Sequence, residues 1–197
     1  MLDQVNLNVD GFVKIWEPDT GLVHVEKHNA VNQEVIGYVI ASMLQANTSE
    51  YIAEMHFGNG GTSVDTTGII TYLPPNSYGQ SADLYNPTYS KIVDDTSIAN
   101  TDQLRNKMTA NHVSGKVYTD IIVQCLLDYG EPDGQAAFDN GTQNQSSFVF
   151  DELGILADYG VDSRGFEQTK LLTHVIFHPV QKSLNRQIQI DYTIRIQ

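Results

Sequence analysis

Only one of the 197 residues is a cysteine, Cys125. That excludes an intrachain disulfide and any multi-cysteine metal site, and it fits a chain made in a reducing cytoplasm. Basic residues are scarce as well: 11 Lys and Arg stand against 24 Asp and Glu, a formal net charge of −13. Neutralising a phosphate backbone needs clustered Lys and Arg, so no nucleic-acid partner is expected. No apolar run approaches the ~18–20 residues of a membrane-spanning helix, so no membrane partner is expected. The start, Met1-Leu2-Asp3-Gln4, has neither a basic n-region nor an apolar h-region, and no signal peptide is expected. No internal repeat of useful length is visible. A single domain over residues 1–197 is expected, long enough to bury its own core.

What is present is mostly strand signal. Residues 11–28 read as a hairpin whose turn, Glu17-Pro18-Asp19-Thr20-Gly21, combines a φ-fixing Pro with a Gly that accepts positive φ. Residues 30–46 read as the one amphipathic helix: Val31, Val35, Ile36, Val39, Ile40, Met43 and Leu44 form a single stripe. Asn29 or Asn32 would cap its start and Asn47-Thr48-Ser49 would end it. Gly37 inside the pattern suggests a close approach of helix to sheet. Residues 51–57 read as a strand leading into the sharp turn Gly58-Asn59-Gly60-Gly61-Thr62.

From 62 to 100 the periodicity is lost. This stretch holds Pro74-Pro75, Pro87 and four of the ten tyrosines: Tyr72, Tyr78, Tyr85 and Tyr89. It reads as a long extended arm with short strands near 68–73 and 88–93, because structureless loops of this length are uncommon inside compact domains. Residues 117–127 read as a central strand with both faces apolar. Residues 130–145 are a polar loop, and 147–150 with 153–157 a strand bent around Gly154. Residues 171–180 form a strand, and 181–185 a turn. In the last strand Ile188, Ile190, Tyr192, Ile194 and Ile196 alternate with polar residues, the pattern of a half-buried antiparallel strand. The inventory predicts a mainly β fold: an antiparallel, jelly-roll-like sandwich with one packed helix and the arm.

Candidate chemistry is sparse. The glycine turn lacks the helix and the Gly-Lys-Ser/Thr of a phosphate loop, so it reads as backbone needing φ > 0. His174 and His178, four apart on a strand, would lie ~13 Å apart, too far to share a metal. Asp128, Glu131 and Asp133-Gly134 do not match a calcium loop; Asp94-Asp95 and Asp139-Asn140 are equally loose. Asp151-Glu152 with Asp158 resembles a glycosidase carboxylate pair only as acidic abundance would allow, and no Gly-x-Ser-x-Gly elbow occurs. Cys125, in an apolar strand, reads as a buried small hydrophobe. No enzyme activity, cofactor or metal is expected. The tyrosine-bearing arm reads as an interface, since Tyr offers large contact area at low entropic cost. The last strand, with Ile194 and Ile196, would either lie at a sheet edge and pair with another chain or pair fully inside.

Two stretches resemble tailed-bacteriophage virion proteins. One is the opening: Gly11-Phe12-Val13-Lys14-Ile15-Trp16, His28-Asn29-Ala30-Val31, the helix, then Ile52-Ala53-Glu54-Met55-His56-Phe57-Gly58-Asn59-Gly60-Gly61-Thr62. The other is the ending: Phe150-Asp151-Glu152-Leu153-Gly154-Ile155-Leu156, Leu171 to Val180, Gln181-Lys182-Ser183, and the isoleucine-alternating strand. The resemblance covers about half the chain, at its two ends, and brings no catalytic residues. It implies a structural subunit of neck or collar, tail or baseplate, assembled in the host bacterial cytoplasm. Its partners would be copies of itself in a symmetric oligomer and other virion proteins of neck, tail or fibre. The alternative is a capsid decoration or a receptor- or glycan-binding module. Beside the resemblance, the residues themselves suggest structural roles for Gly58, Gly60, Lys182 and Glu152. Glu152 would reach backbone N–H groups of an adjacent turn or pair with Lys182.

Overall fold

A computed structural model of the chain describes residues 7–45, 50–132, 147–161, 164 and 167–197. The fold is mainly β. Nine strands form one antiparallel, strongly curled sheet, a half-barrel, with one short helix and a separate two-stranded ribbon. The strands in chain order are β1 (Val9–Trp16), β2 (Val23–Val31), β3 (Ile52–Gly58), β4 (Thr62–Val64), β5 (Ile70–Tyr72), β6 (Pro87–Ile92), β7 (Lys107–His112), β8 (Thr119–Leu127), β9 (Ser147–Val161), β10 (Glu167–Ser183) and β11 (Ile188–Ile196). Helix α1 spans Gln33–Leu44. The sheet order is β6-β3-β9-β10-β2-β1-β11-β8-β7, and β4-β5 is the ribbon.

The expected sandwich is corrected to this single sheet, and β2 is the reason. It pairs with β1 from Val23 to Asn29 but meets β10 only through Ala30 and Val31. One strand thus carries the hydrogen bonding around the corner where a sandwich would have a gap. At the opposite side the curl is braced by side chains. Lys91 on β6 donates to the Leu126 carbonyl on β8 at 2.6 Å. Asn106 accepts from the Leu126 N–H at 2.8 Å, and Asn100 donates to the carbonyls of Asp94 and Asn106.

The hairpin β1–β2 closes as expected, with Glu17 N–H bonded to the Leu22 carbonyl and Gly21 at φ +72°. In α1, Asn32 is the N-cap, its side chain accepting from Val35 N–H. Val35, Ile36 and Val39 seal the concave core, while Met43 and Leu44 are exposed. The predicted end of the helix, Asn47-Thr48-Ser49, lies outside the described residues. In β11 the alternation holds: Ile188, Ile190, Tyr192 and Ile194 are fully buried. Both its neighbours belong to this chain, β1 and β8, so of the two placements expected for it the internal one is found.

The segment 62–100 does not stand away from the domain. β6 joins the sheet beside β3, and Val93 is fully buried. Leu84 packs on Leu156 and Leu171, with Ala82 beside them, in a small second core on the outer face of β9 and β10. The segment expected as an extended arm is therefore partly an edge strand, β6, and partly a layer packed over β9 and β10, where Leu84 supplies the apolar anchor.

Candidate functional site

The densest polar cluster grows from two consecutive residues of β9, Asp151 and Glu152. Along a regular strand they would face opposite ways. Here the register of β9 against β10 slips between Ile176↔Glu152 and Val180↔Phe150. Asp151 falls in that slip, opposite a stretch containing Pro179, which has no N–H for the ladder.

Both carboxylates turn toward the glycine loop. Glu152 Oε1 accepts from the N–H groups of Gly60 at 3.0 Å and Asn86 at 2.8 Å. Its Oε2 accepts from Tyr85 N–H at 2.9 Å and from His174 Nε2 at 3.0 Å. Asp151 accepts from the N–H groups of Gly61 and Thr62, both at 2.9 Å, and from the Thr62 hydroxyl. His174 Nδ1 accepts from Asn76 N–H at 2.8 Å. A backbone N–H can only donate, so Nδ1 carries the lone pair and Nε2 the proton given to Glu152. Glu152 and His174 are fully buried.

The expected need for positive φ in this turn is corrected, because none of Gly58, Gly60 and Gly61 adopts it; the reason for glycine here is the space a side chain would take. A Cβ on Gly58 would lie 2.4 Å from Glu152 Oε1, and one on Gly60 2.8 Å from the Asn86 nitrogen. The loop that resembles a phosphate cradle presents its N–H groups to the protein's own carboxylates. Burial pushes the Glu152 carboxyl up. The His174 hydrogen bond and the N–H groups of Asn86, Tyr85 and Gly60 outweigh this and hold it below its ordinary value. Burial raises Asp151; Thr62 and the N–H of Gly61 offset part of that, and the Glu152 charge adds to it. Chemically the arrangement is a clasp: two carboxylates and an imidazole on β9 and β10 fasten residues 60–62, 76 and 85–86.

Lys182 does not pair with Glu152. Its buried ammonium donates to the carbonyls of Asp128 at 2.9 Å, Glu131 at 2.7 Å and Ser183 at 2.9 Å. Burial pushes it down to about 8, against the opposing pull of Glu131 and Asp128. The remaining acidic candidates have local partners. Asp158 accepts from Gly160 N–H, Asp94 from Thr96, Asp128 from Gln187, and Glu131 pairs with Lys91. Asp133-Gly134 and Asp139-Asn140 lie outside the described residues. Among the described residues no three His, Cys, Asp or Glu side chains are grouped to hold a metal ion. Burial drives the Cys125 thiol up to about 12, which keeps it protonated and unreactive at neutral pH.

The expected contact residues divide. Tyr78 is 87% exposed, and Tyr72 and Tyr85 are also exposed. The Tyr85 hydroxyl donates to the Pro74 carbonyl at 2.8 Å, and the Tyr72 hydroxyl lies 3.4 Å from His178 Nδ1. Val64, Ile69 and Leu73, in or beside the β4–β5 ribbon, are exposed as well. Tyr89, Ile194 and Ile196 are elsewhere. Tyr89 packs on Phe57 and Phe148, Ile194 is fully buried, and Ile196 lies half-buried against the main core. Asn76 and Leu84 were not singled out from sequence, and His174 was considered only as a metal ligand beside His178 and set aside, although a histidine inside the apolar run of β10 was a signal. No protein-family model, no curated protein and no solved structure matches the chain.

Proposed function

We propose that this chain is a non-enzymatic structural component of a tailed-phage virion, a ring-forming or adaptor subunit of the neck, collar or tail. It would be assembled in the host bacterial cytoplasm and carried in the virion. Its partners are copies of itself and neighbouring virion proteins. The observation that carries the reading is the clasped segment. Seven hydrogen bonds donated by the segment to Asp151, Glu152 and His174 fix its inner side. Its outer side presents Val64, Ile69, Tyr72, Leu73, Tyr78 and Tyr85. Holding apolar and aromatic groups rigidly in solvent lowers the ordering cost of binding, and rigid Tyr anchors are typical contact residues. The resemblance of the two chain ends to virion proteins points the same way.

Deleting residues 72–90 would not test this, because β6, Leu84 and the donors to Glu152 leave with them. Surface substitutions do. Tyr72→Ser with Tyr78→Ser is expected to convert the oligomer to monomer in sedimentation velocity while the thermal midpoint stays put. A wild-type chain that is monomeric at high micromolar concentration, with no virion component retaining it, removes the reading.

A further inference from the structure

The clasped segment and its Leu84 anchor cover the outer face of β9 and β10. The outer face of β2, β1 and β11 holds instead a cavity of about 430 Å3 lined by Phe12, Lys14, Glu26, His28, Asp191 and Thr193. The register places these side chains on a grid. Phe12 lies between His28 on β2 and Thr193 on β11, and Lys14 between Glu26 and Asp191. Two interstrand spacings by one i to i+2 step make a patch of roughly 10 by 7 Å, the footprint of one substituted six-membered sugar ring.

The chemistry of the patch is mixed in a particular way. Phe12 and His28 form an aromatic pair with centroids 4.3 Å apart. Arg195, held by Asp120 in two hydrogen bonds of 2.8 and 2.9 Å, lies 5.9 Å from the centre of the Phe12 ring and 4.0 Å from that of Tyr118. Asp191 is fixed too: Trp16 Nε1 donates to it at 2.8 Å, and Gln124 and Gln189 at 3.2 Å. Lys27 reaches away to the Ile176 carbonyl. The Lys14 ammonium lies over the Trp16 ring. Among the described residues no hydrogen bond takes up Lys14, Glu26 or His28. The patch therefore offers an aromatic surface flanked by an ammonium and a carboxylate that no described hydrogen bond engages, and by an imidazole. Asp191 is already taken up by three donors, which leaves Lys14 and Glu26 as the two charges free of described hydrogen bonds, one of each sign, so the open part of the lining favours neither an anion nor a cation. A neutral ligand with one apolar face and hydroxyls that both donate and accept is a saccharide.

We propose that this face is a binding site for a neutral saccharide, one pyranose ring stacking on Phe12 and His28 while Lys14 and Glu26 hydrogen-bond its hydroxyls. This goes beyond assembly and uses a surface distinct from Tyr72, Tyr78 and Tyr85. Trp16 is the only tryptophan and borders the patch, so its emission reports occupancy. The full-length protein is titrated with methyl glycosides of glucose, galactose, mannose and N-acetylglucosamine and with their short oligomers, up to about 20 mM. At least one is expected to change Trp16 emission saturably. Phe12→Leu, which keeps the apolar volume but removes the ring face, and Lys14→Ala are each expected to weaken that binding about tenfold or more. Tyr78→Ser is expected to leave it unchanged. Thermal midpoints establish that the variants are folded, and sedimentation of the same samples reads assembly separately. The proposal is overturned by no saturable response across the panel, or by affinity that survives Phe12→Leu and Lys14→Ala.

Discussion

Gly37 lies on the exposed side of α1, and a Cβ there would meet nothing within 4 Å. The close helix–sheet approach expected from its position in the apolar pattern is absent, which leaves a helix-interior glycine carrying only its entropic cost. Gly37→Ala is expected to stabilise the fold by about 0.5–1 kcal/mol, read as a rise of a few degrees in thermal midpoint. Gly58 is the opposite case, because its Cβ would collide with Glu152 Oε1 and the Asn86 carbonyl. Gly58→Ala is expected to cost about 2–4 kcal/mol by the same measurement. Glu152 ties these positions to pH. Its folded carboxyl titrates below the ordinary 4.5, so the stability it contributes is complete above 4.5 and is lost as pH falls through the lower folded value. Asp151, raised above 3.8, has the opposite sign: its contribution is greatest below 3.8 and is lost as pH rises through the raised value. Glu152→Gln leaves buried N–H groups facing an amide and is expected to cost about 1–3 kcal/mol at pH 7. In urea titrations from pH 7 to 3 the wild type should lose stability more steeply than the variant below 4.5. Parallel losses in the two proteins would mean that Glu152 is not the acid-sensitive group.

At the level of elements, Lys182 fastens the turn at Asp128 and Glu131 to the end of β10 through two of its carbonyls, a third bond going to Ser183 on β10 itself. Its folded value of about 8 lies below the ordinary 10.5. Between these values the unfolded chain binds more protons than the folded one, so this residue makes stability rise with pH across that window, by on the order of 1–3 kcal/mol. Lys182→Met should lack the rise, which urea unfolding at pH 7.5 and 10 would resolve. The legible part of the fold is the part with local periodicity. The isoleucines of β11 fixed its faces, and the Pro–Gly turn fixed the first hairpin. Period two says nothing about neighbours, so the interior position of β11 was one of two open choices. β7 went unread because Met108 is its one large apolar residue and pairing with β8 makes it a strand. Tyr89 belonged to an unperiodic stretch, and its partners Phe57 and Phe148 are remote in sequence. Glu152 was half-read: a glycine turn must present N–H groups, which a nearby carboxylate can accept. Its second partner, His174, lies 22 residues away on the neighbouring strand. The two-sheet expectation failed at β2, because strand count does not reveal which strand bends round a corner.

For the whole molecule, net charge and exposed apolar surface act against each other. Copies carrying −13 each repel, and this repulsion is screened beyond a Debye length of about 10 Å at 0.1 M salt. A contact built on Tyr72, Leu73 and Tyr78 gains from apolar burial, which added salt does not weaken. Self-association through the clasped segment is therefore expected to tighten as sodium chloride rises from about 20 to 300 mM. A contact built on ion pairs would loosen over the same range. Sedimentation equilibrium at several salt concentrations separates the two. Tyr78→Ser should abolish the association at every salt concentration, whereas Lys14→Ala, on β1 and outside the clasped segment, should not change it. An association constant that falls with salt would place the contact among charged residues and away from the tyrosines.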